Sequence, residues 1–217
     1  MNHRVDGIYL KHPLQFLQIL NIFCLKKLGA EVSFVNGVLH VNSIGVKPHF
    51  PPSGDRGINC GESGLSIRMF TPIVALSNQS ITINGTGSLL TRPMDFFDEI
   101  LPQLSVDIKS NAGKLPLEVK GPLQAKNITI DGSLSSQFLT GLLMALPQLK
   151  REITVKIYDE LISKPYVEIT LALLKMFGAK VAESAENCFT IYPIEVLQAI
   201  EYTVEPDASS ARSEEHT

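Results

Sequence analysis

Ser135-Ser136-Gln137 is a run of small polar residues just before the apolar run Leu142–Leu146. Hydroxyl and amide groups at the start of a helix satisfy its free N–H groups, and they also face an anion held at that helix end. Gln137 adds a hydrogen-bond donor that a cap alone does not require. The run suits a polar, phosphorylated small molecule, with an ordinary N-terminal cap as the alternative.

A glycine-flanked turn at residues 60–68 leads into a second predicted helix. Small residues such as Gly64 let backbone N–H groups approach an anion closely at the positive end of the helix dipole. A plain turn with a cap is the alternative. Arg68, one turn into the helix, could bind a ligand, but we favour its pairing with a carboxylate that fixes the loop.

Two further segments carry a cation or a hydroxyl before a proline. Arg92 precedes Pro93, which is predicted to open a helix, and its two-pronged guanidinium suits carboxylate or phosphate. Ser163 and Lys164 precede a second such proline, with Tyr166 in the first turn. Each segment alone is explained by capping or by surface solvation. Together with the two segments described above, however, they make four polar helix starts at equivalent places of a repeated unit, and we expect these four to converge on one anionic ligand.

A repeated unit organises the chain, because three times an amphipathic segment is followed by a short strand, a turn and a second strand. Asn-Gly and similar turns favour hairpins, so each strand pair is predicted to be antiparallel. Gly29 and Gly178 stand where a helix C-terminus needs a positive φ angle. The predicted helix-to-strand segments are 16–41, 94–119 and 167–192.

Further helix–strand pairs stand between these segments, with helices predicted over 63–76 and 134–146 and strands over 80–84 and 153–157. Each unit is therefore predicted to be βαβαββ, with copies about 75 residues apart. Three units around a common axis would bury their helices together. The predicted fold class is α/β, an inside-out barrel with helices inside and sheets outside. Residues 1–15 do not fit this plan, because they lack a clean strand–helix start for the first unit.

Composition excludes several classes of function. The 217 residues are 44% hydrophobic and 19% charged, as in a folded globular protein, and the net charge of −3 would not attract nucleic acid or an anionic membrane. The apolar stretch Phe16–Leu25 is too short and too polar to span a bilayer. The five histidines have no metal-binding spacing, so no metal site is predicted.

The three cysteines, Cys24, Cys60 and Cys188, are widely spaced and form no C-x-x-C pair. An odd count without a signal peptide predicts reduced thiols in a cytoplasmic protein. Each is interpreted as a small packing residue rather than as a nucleophile.

Five motifs of one enzyme family occur in this chain in order and at consistent spacing. They are the Gly-Asn-Ala-Gly-x-x-x-Arg loop at Gly61–Arg68, the Arg-Pro pair at Arg92-Pro93, the Ser-Ser-Gln-Phe-Leu-Thr-x-Leu-Leu-Met run at Ser135–Met144, the Ser-Lys-Pro-Tyr run at Ser163–Tyr166, and a Gly-Asp-Ala-Ser-Ser turn similar to Pro206–Ser210. From about Leu25 to Ser210 the chain thus resembles the enolpyruvyl transferase family, and within it the EPSP synthases. A sister enzyme that acts on a UDP-aminosugar lacks Ser-Ser-Gln and Ser-Lys-Pro-Tyr.

This resemblance implies one domain of a two-domain fold, and transfer of the enolpyruvyl group of phosphoenolpyruvate to the 5-hydroxyl of shikimate 3-phosphate. It implies no metal or organic cofactor, no nucleic acid or membrane partner, and a monomeric full-length protein. The implied shikimate 3-phosphate ligands are Ser135, Ser136, Gln137, Ser163 and Tyr166, and the implied phosphoenolpyruvate ligands are Gly64, Arg92 and Gln137.

The chain also departs from the family. A Lys-Ser-x-Ser-x-Arg segment that contacts both substrates has no match in residues 1–15, and Glu62 stands where the family usually has Asn. The second domain, which carries the proton-transfer carboxylate, has no counterpart, so no catalytic residue is predicted here. We interpret residues 1–205 as the shikimate-binding domain, 206–211 as the start of a crossover to the second domain, and 212–217 as an adapter-derived tail.

Three interpretations follow from the sequence. The first is an incomplete EPSP synthase that binds shikimate 3-phosphate weakly and turns nothing over. The second is a UDP-N-acetylglucosamine enolpyruvyl transferase, and the third is a repeat-built binding domain whose polar helix starts are only caps.

Overall fold

The computed structural model describes residues 3–10, 16–36, 38–43, 55–133, 136–161, 164–195, 197–198, 200 and 202–204. The strands in this part of the chain are β1 His3–Leu10, β2 Glu31–Val35, β3 Val38–Ser43, β4 Gly57–Asn59, β5 Ser80–Asn84, β6 Asp107–Lys109, β7 Leu117–Lys120, β8 Ile128–Asp131, β9 Ile153–Tyr158, β10 Val181–Ala185, β11 Cys188–Ile191 and β12 Tyr202–Val204. The α-helices are α1 Phe16–Lys27, α2 Gly64–Val74, α3 Phe96–Ile100, α4 Ser136–Ala145 and α5 Lys164–Met176, and 3-10 turns occupy Gly87–Thr91, Leu101–Leu104 and Leu146–Gln148.

The strands form three four-stranded sheets with one shared plan. The orders are β12-β1-β3-β2, β4-β5-β7-β6 and β8-β9-β11-β10. In each sheet the first two strands are parallel, and the other pairs are antiparallel. The second and third units are therefore complete βαβαββ units, which confirms the predicted repeat.

The first sheet is completed from far along the chain. Strand β12 lies parallel to β1, with Ile8 opposite Tyr202, in the place that β4 and β8 take in their own sheets. Strand β12, although it comes last in the chain, therefore belongs to the first repeat.

Residues 1–15 were predicted to lack a clean strand–helix start, but His3–Leu10 forms β1. The register of β1 on β3 shifts between Val5 and Ile8, so β1 carries one extra residue there. Such a bulge breaks the alternation of apolar and polar residues by which a strand is recognised.

Helices α2 and α4 lie at the centre and the sheets cover them. Side chains of the second and third sheets alternate between buried and exposed, as expected where one face covers a core and the other meets water. By contrast, α4 is buried over most of its length, including Phe138, Leu142 and Leu143. The predicted arrangement of helices inside and sheets outside is confirmed.

Close contact of α2 with α4 depends on Gly141. A side-chain carbon added at Gly141 would lie 2.7 Å from the carbonyl oxygen of Arg68 and 2.9 Å from that of Met69. These are backbone atoms within α2, so they can withdraw only if the helix moves. The absence of a side chain at Gly141 therefore sets the separation of the two central helices.

Local turn chemistry acts as the sequence predicts. Gly29 and Gly178 end α1 and α5 with φ angles of 99° and 85°. The hairpin turns contain Asn36, Ala112 and Asn187, which also have positive φ. In the part of the chain that the structure describes, no helix is both long enough and apolar enough to cross a membrane.

Candidate functional site

The segments singled out in the sequence follow the carboxyl ends of two parallel strand pairs. Strands β4 and β5 lead into the segments that contain Gly64 and Arg92, and β8 and β9 lead into those of Gln137 and Tyr166. Parallel neighbours end at the same edge of their sheet, so the two segments of each pair emerge side by side.

Backbone contacts bind these neighbouring segments together in both units. In the second unit Thr86 donates its N–H to the carbonyl of Gly61 at 2.7 Å. In the third unit Gly132 donates its N–H to the carbonyl of Tyr158 at 2.8 Å. Added side-chain carbons at Gly85 and Gly132 would lie 2.8 and 2.7 Å from the carbonyl oxygens of Gly61 and Glu160. The paired segments thus pack backbone against backbone.

Three contacts bring the starts of four helices to one end of the molecule. The Ser66 hydroxyl of α2 donates to Oδ1 of Asn21 on α1 at 2.7 Å. Gly141 of α4 packs on Arg68 of α2, and the hydroxyls of Thr140 and Thr170 join α4 to α5 at 2.8 Å. Each contact joins residues within the first two turns of their helices. The starts of these four helices, with their positive ends, therefore lie close together.

Ser63 caps α2 through a buried hydroxyl network. Its Oγ accepts the N–H of Ser66 at 3.1 Å and shares a hydrogen bond with the Ser66 hydroxyl at 2.7 Å. Ser63 itself is 5% exposed. The loop therefore contains the cap that the sequence suggested. This cap does not account for the first N–H groups of α2 or for the space over Gly64.

Replacing Ser63 with alanine should lower the free energy of unfolding by about 1–2 kcal/mol, because the N–H of Ser66 loses its acceptor in a buried position. Urea denaturation measures this change. Ser33→Ala, at an exposed serine on the edge strand β2, should cost less than about 0.5 kcal/mol. Equal effects of the two substitutions would contradict the capping role.

Two guanidinium groups meet over Gly64 at the start of α2. A side-chain carbon added at Gly64 would lie 2.7 Å from Nη1 of Arg68 and 3.2 Å from Nη1 of Arg92. No carboxylate in the described part of the chain forms an ion pair with either arginine. Two cations beside a helix N-terminus, without such a carboxylate, form a site for an anion.

The prediction that Arg68 pairs with a carboxylate is therefore not met among the described residues. Its Nη1 donates to the carbonyl of Gly64 at 3.1 Å, its guanidinium lies 5.9 Å from the ring centre of Phe96, and its buried Nε has no hydrogen-bond partner. Burial, and then the charge of Arg92, lower the pKa of Arg68. A bound anion would relieve both effects. The spacing of Gly64 and Arg68 in the sequence indicates this contact, because a side chain in a helix lies over the preceding turn, and the turn before Arg68 contains Gly64.

Arg92 is placed differently from the prediction. It ends the 3-10 turn Gly87–Thr91 in an extended conformation, and α3 begins only at Phe96. The following proline disfavours a helical conformation at Arg92, which explains the extended backbone. Arg92 thus reaches the start of α2 rather than the start of its own following helix, and it is exposed to solvent.

An aromatic cluster connects the arginine pair to the start of α4. The ring of Phe96, which Arg68 faces, lies 5.2 Å from the ring of Phe138, measured between ring centres. Phe138 directly follows Gln137 in α4. Gln137 and the arginine pair are therefore held on neighbouring parts of one packed cluster.

The remaining predicted residues fall into two groups. Ser136 and Gln137 open α4, half-buried, and Tyr166 lies in the first turn of α5 with 65% of its surface exposed. The Thr170 hydroxyl that meets Thr140 also donates to the Tyr166 carbonyl at 3.0 Å, which ties this turn to α4. Ser135, Ser163, the proposed crossover at 206–211 and the tail at 212–217 lie outside the described residues.

The thiols of Cys24 and Cys60 are buried beneath the anion loop. The pKa of Cys60 is raised by a hydrogen bond with Cys24 and by burial, so its thiol stays protonated. Both residues pack as predicted, whereas Cys188 is only half-buried.

Comparison with known proteins places this arrangement in context. The sequence profile of the family described as EPSP synthase (3-phosphoshikimate 1-carboxyvinyltransferase) matches residues 13–213. Proteins named 3-phosphoshikimate 1-carboxyvinyltransferase from Clostridium kluyveri, Clostridium beijerinckii and Methanosarcina acetivorans are 36%, 32% and 35% identical over 70%, 89% and 84% of this chain. The chain spans 36%, 45% and 43% of their lengths.

A solved structure gives the same result for the fold. The EPSP synthase of Acinetobacter baumannii matches 95% of this chain with a TM-score of 0.76 and 21% sequence identity. This chain covers 46% of that structure.

Proposed function

Because this chain belongs to the EPSP synthase family, we propose that it forms the shikimate 3-phosphate-binding half of an enolpyruvyl transferase. In the whole enzyme the 5-hydroxyl oxygen of shikimate 3-phosphate adds to C2 of phosphoenolpyruvate while C3 gains a proton. The adduct then loses phosphate from C2 and a proton from C3, which restores the double bond. Residues 1–205 would be the binding domain, and 206–211 would lead to the second domain.

Phosphoenolpyruvate would bind at the start of α2. Gly64 lets two guanidinium groups approach the start of α2 closely, and Arg92 supplies two N–H groups in a planar fork. Arg68 adds the second guanidinium through its Nη1, so we include it among the anion-binding residues rather than among those that only structure the loop. Fixed cations next to both reactants could supply several kcal/mol of barrier reduction, because they need no reorganisation during the reaction.

Shikimate 3-phosphate would bind at the starts of α4 and α5. Ser135, Ser136 and Ser163 would hold its phosphate through hydroxyl and N–H groups, and Tyr166 would pack against the ring. Gln137 would contact both substrates, because it lies between the phosphate site and the aromatic cluster that supports Arg68. This division leaves proton transfer to groups from the second domain.

The observation that carries the proposal is the pair of arginines over Gly64, which forms no ion pair with a carboxylate among the described residues. Two cations that are held close together without a counter-ion repel each other, which lowers the stability of the folded chain. A bound dianion offsets this repulsion. We further propose a cytoplasmic location, supported by the three free thiols, and a monomeric whole protein.

Calorimetric titration of the 217-residue chain tests this assignment. We expect binding of shikimate 3-phosphate, no turnover with phosphoenolpyruvate, and a loss of affinity of about 5- to 10-fold in Ser136→Ala, because one hydrogen bond to a charged group is removed. Ser33→Ala, at the exposed serine of β2, should bind like the unaltered chain.

Each alternative interpretation of the sequence predicts a different result in this titration. A chain that binds UDP-N-acetylglucosamine and not shikimate 3-phosphate would be a UDP-aminosugar enolpyruvyl transferase. A chain that binds neither, and in which Ser136→Ala changes only stability, would be a repeat-built domain with simple helix caps.

A further inference from the structure

We propose that Glu62 is a positioning residue of the anion site. Its carboxylate joins the loop before α2 to the 3-10 turn Gly87–Thr91 and so holds Arg92 over Gly64. This inference rests on the proposed function for the identity of the anion, but the contact itself is independent of it.

The carboxylate of Glu62 lies directly on the start of that turn. Its Oε2 accepts the N–H of Ser88 at 3.3 Å and the Ser88 hydroxyl at 3.2 Å. A side-chain carbon added at Gly87 would lie 2.6 Å from either carboxylate oxygen. Gly87 also has a φ of 57°, so a side chain there is opposed both by the backbone and by Glu62. The turn is shaped to receive this carboxylate.

The backbone brings Glu62 to this position. Asn59 and Asn84 end the two parallel strands and accept the N–H groups of Gly61 and Gly85 at 2.8 and 2.9 Å. Each loop thus turns sharply at its first residues. The carbonyl of Gly61 then meets the N–H of Thr86, which places the next residue, Glu62, opposite Ser88.

Arg92 lies between two buried anchors. Its N–H donates to the carbonyl of Leu89 at 3.2 Å, and Leu89 is fully buried. On the other side, Met94 is fully buried and donates its N–H to the carbonyl of Gly113 at 2.7 Å. The other residues of the turn Gly87–Thr91 are exposed, and Glu62 holds the first part of that turn. Without Glu62 the exposed part of the turn can shift between the two anchors, and the backbone of Arg92 shifts with it.

The contacts with Ser88 also explain why the carboxylate of Glu62 is tolerated beside an anion site. Both hydrogen bonds of Glu62 join its carboxylate to Ser88, and among the described residues it forms no ion pair with Arg68 or Arg92. The positional effect and the charge effect of Glu62 then have opposite signs. Losing its position weakens anion binding, whereas losing only its charge does not.

Glutamine and alanine at position 62 separate the two effects. Glu62→Gln keeps an oxygen acceptor for Ser88 and removes the charge, so phosphoenolpyruvate should bind as tightly as to the unaltered chain or up to about 3-fold more tightly. Glu62→Ala removes the acceptor, and affinity should fall about 5- to 10-fold. Ser88→Ala combined with Glu62→Ala should add little further loss, because both remove one contact.

Amide hydrogen exchange reports the contact without any ligand. Exchange of the amides of Ser88 to Arg92 should rise about 10-fold in Glu62→Ala and stay unchanged in Glu62→Gln. The matched control is Glu118→Ala, which removes an equally exposed glutamate that accepts the Ser80 hydroxyl at 2.8 Å on the second sheet. It should change neither exchange at residues 88–92 nor phosphoenolpyruvate affinity.

Two results would overturn the inference. If Glu62→Ala leaves exchange at residues 88–92 unchanged, Glu62 does not hold the turn, whatever the chain binds. If exchange rises and affinity for phosphoenolpyruvate stays the same while Arg92→Ala weakens it, the site binds the anion but does not need Glu62. Failure of the unaltered chain to bind phosphoenolpyruvate, with a normal exchange response, would instead count against the proposed function and the positioning role together.

Discussion

Arg92→Ala is expected to weaken phosphoenolpyruvate binding by about 10- to 100-fold, the largest loss of affinity for any single substitution in this domain. Arg92 is exposed and reaches Gly64 from a neighbouring loop, so its removal leaves the cap and core of α2 intact. A hydrogen-bonded charge at an anion site is worth about 1.5–3 kcal/mol. Arg92→Lys should recover only part of the loss, because an ammonium group cannot form the planar fork.

Titration of the chain and its variants with phosphoenolpyruvate measures this effect. Arg151→Ala, an exposed arginine after the turn Leu146–Gln148, is the matched control and should not change affinity. The thermal midpoint without ligand should not fall in Arg92→Ala, and it should rise slightly because repulsion of Arg68 is relieved. Unchanged affinity in Arg92→Ala would show that the anion binds elsewhere.

Gly141→Leu is expected to lower the free energy of unfolding by about 3 kcal/mol. The first added carbon already falls 2.7 Å from the carbonyl of Arg68, and the rest of the side chain has no space between α2 and α4. At an exposed helix position, leucine is favoured over glycine by nearly 1 kcal/mol. A decrease in the free energy of unfolding therefore shows a packing clash, whereas an increase would show that helix propensity dominates. The helices must separate, which moves Gly64 and Arg68 of α2 away from Gln137 at the start of α4.

Urea denaturation gives the stability change, and phosphoenolpyruvate titration of the remaining folded protein gives the effect on the site. Ala172→Leu, on an exposed position of α5, adds a comparable side chain and should shift stability by less than about 0.5 kcal/mol. A Gly141→Leu protein that is as stable as the unaltered chain would mean that α2 and α4 are not in contact at Gly141.

The repeated helices and strands were predictable because their signals are local. The ends of α1 and α5 were found from Gly29 and Gly178, whose positive φ angles follow from the absence of a side chain. Strand β5 was predicted over its actual range from strict alternation of apolar residues. Strand β1 was missed, because its bulge interrupts that alternation.

The site was predictable only in part. That Gly64, Arg92 and Gln137 belong to one region followed from their equivalent places in the repeat. The predicted carboxylate partner of Arg68 is not found among the described residues. A sequence shows that a cation needs compensation but not which group lies across the fold. The role of Glu62 could not be predicted, since Ser88 is 26 residues further along the chain.

The sequence by itself therefore determined the three-unit α/β plan, the polar starts of the helices and the family, because hydrophobic period, turn residues and motif spacing are properties of neighbouring residues. Tertiary structure alone decided that β12 completes the first sheet, that Arg68 and Arg92 share Gly64, and that Glu62 faces Ser88. Each of these is a contact between distant segments, and which contacts form depends on how whole helices and sheets pack together rather than on any local pattern.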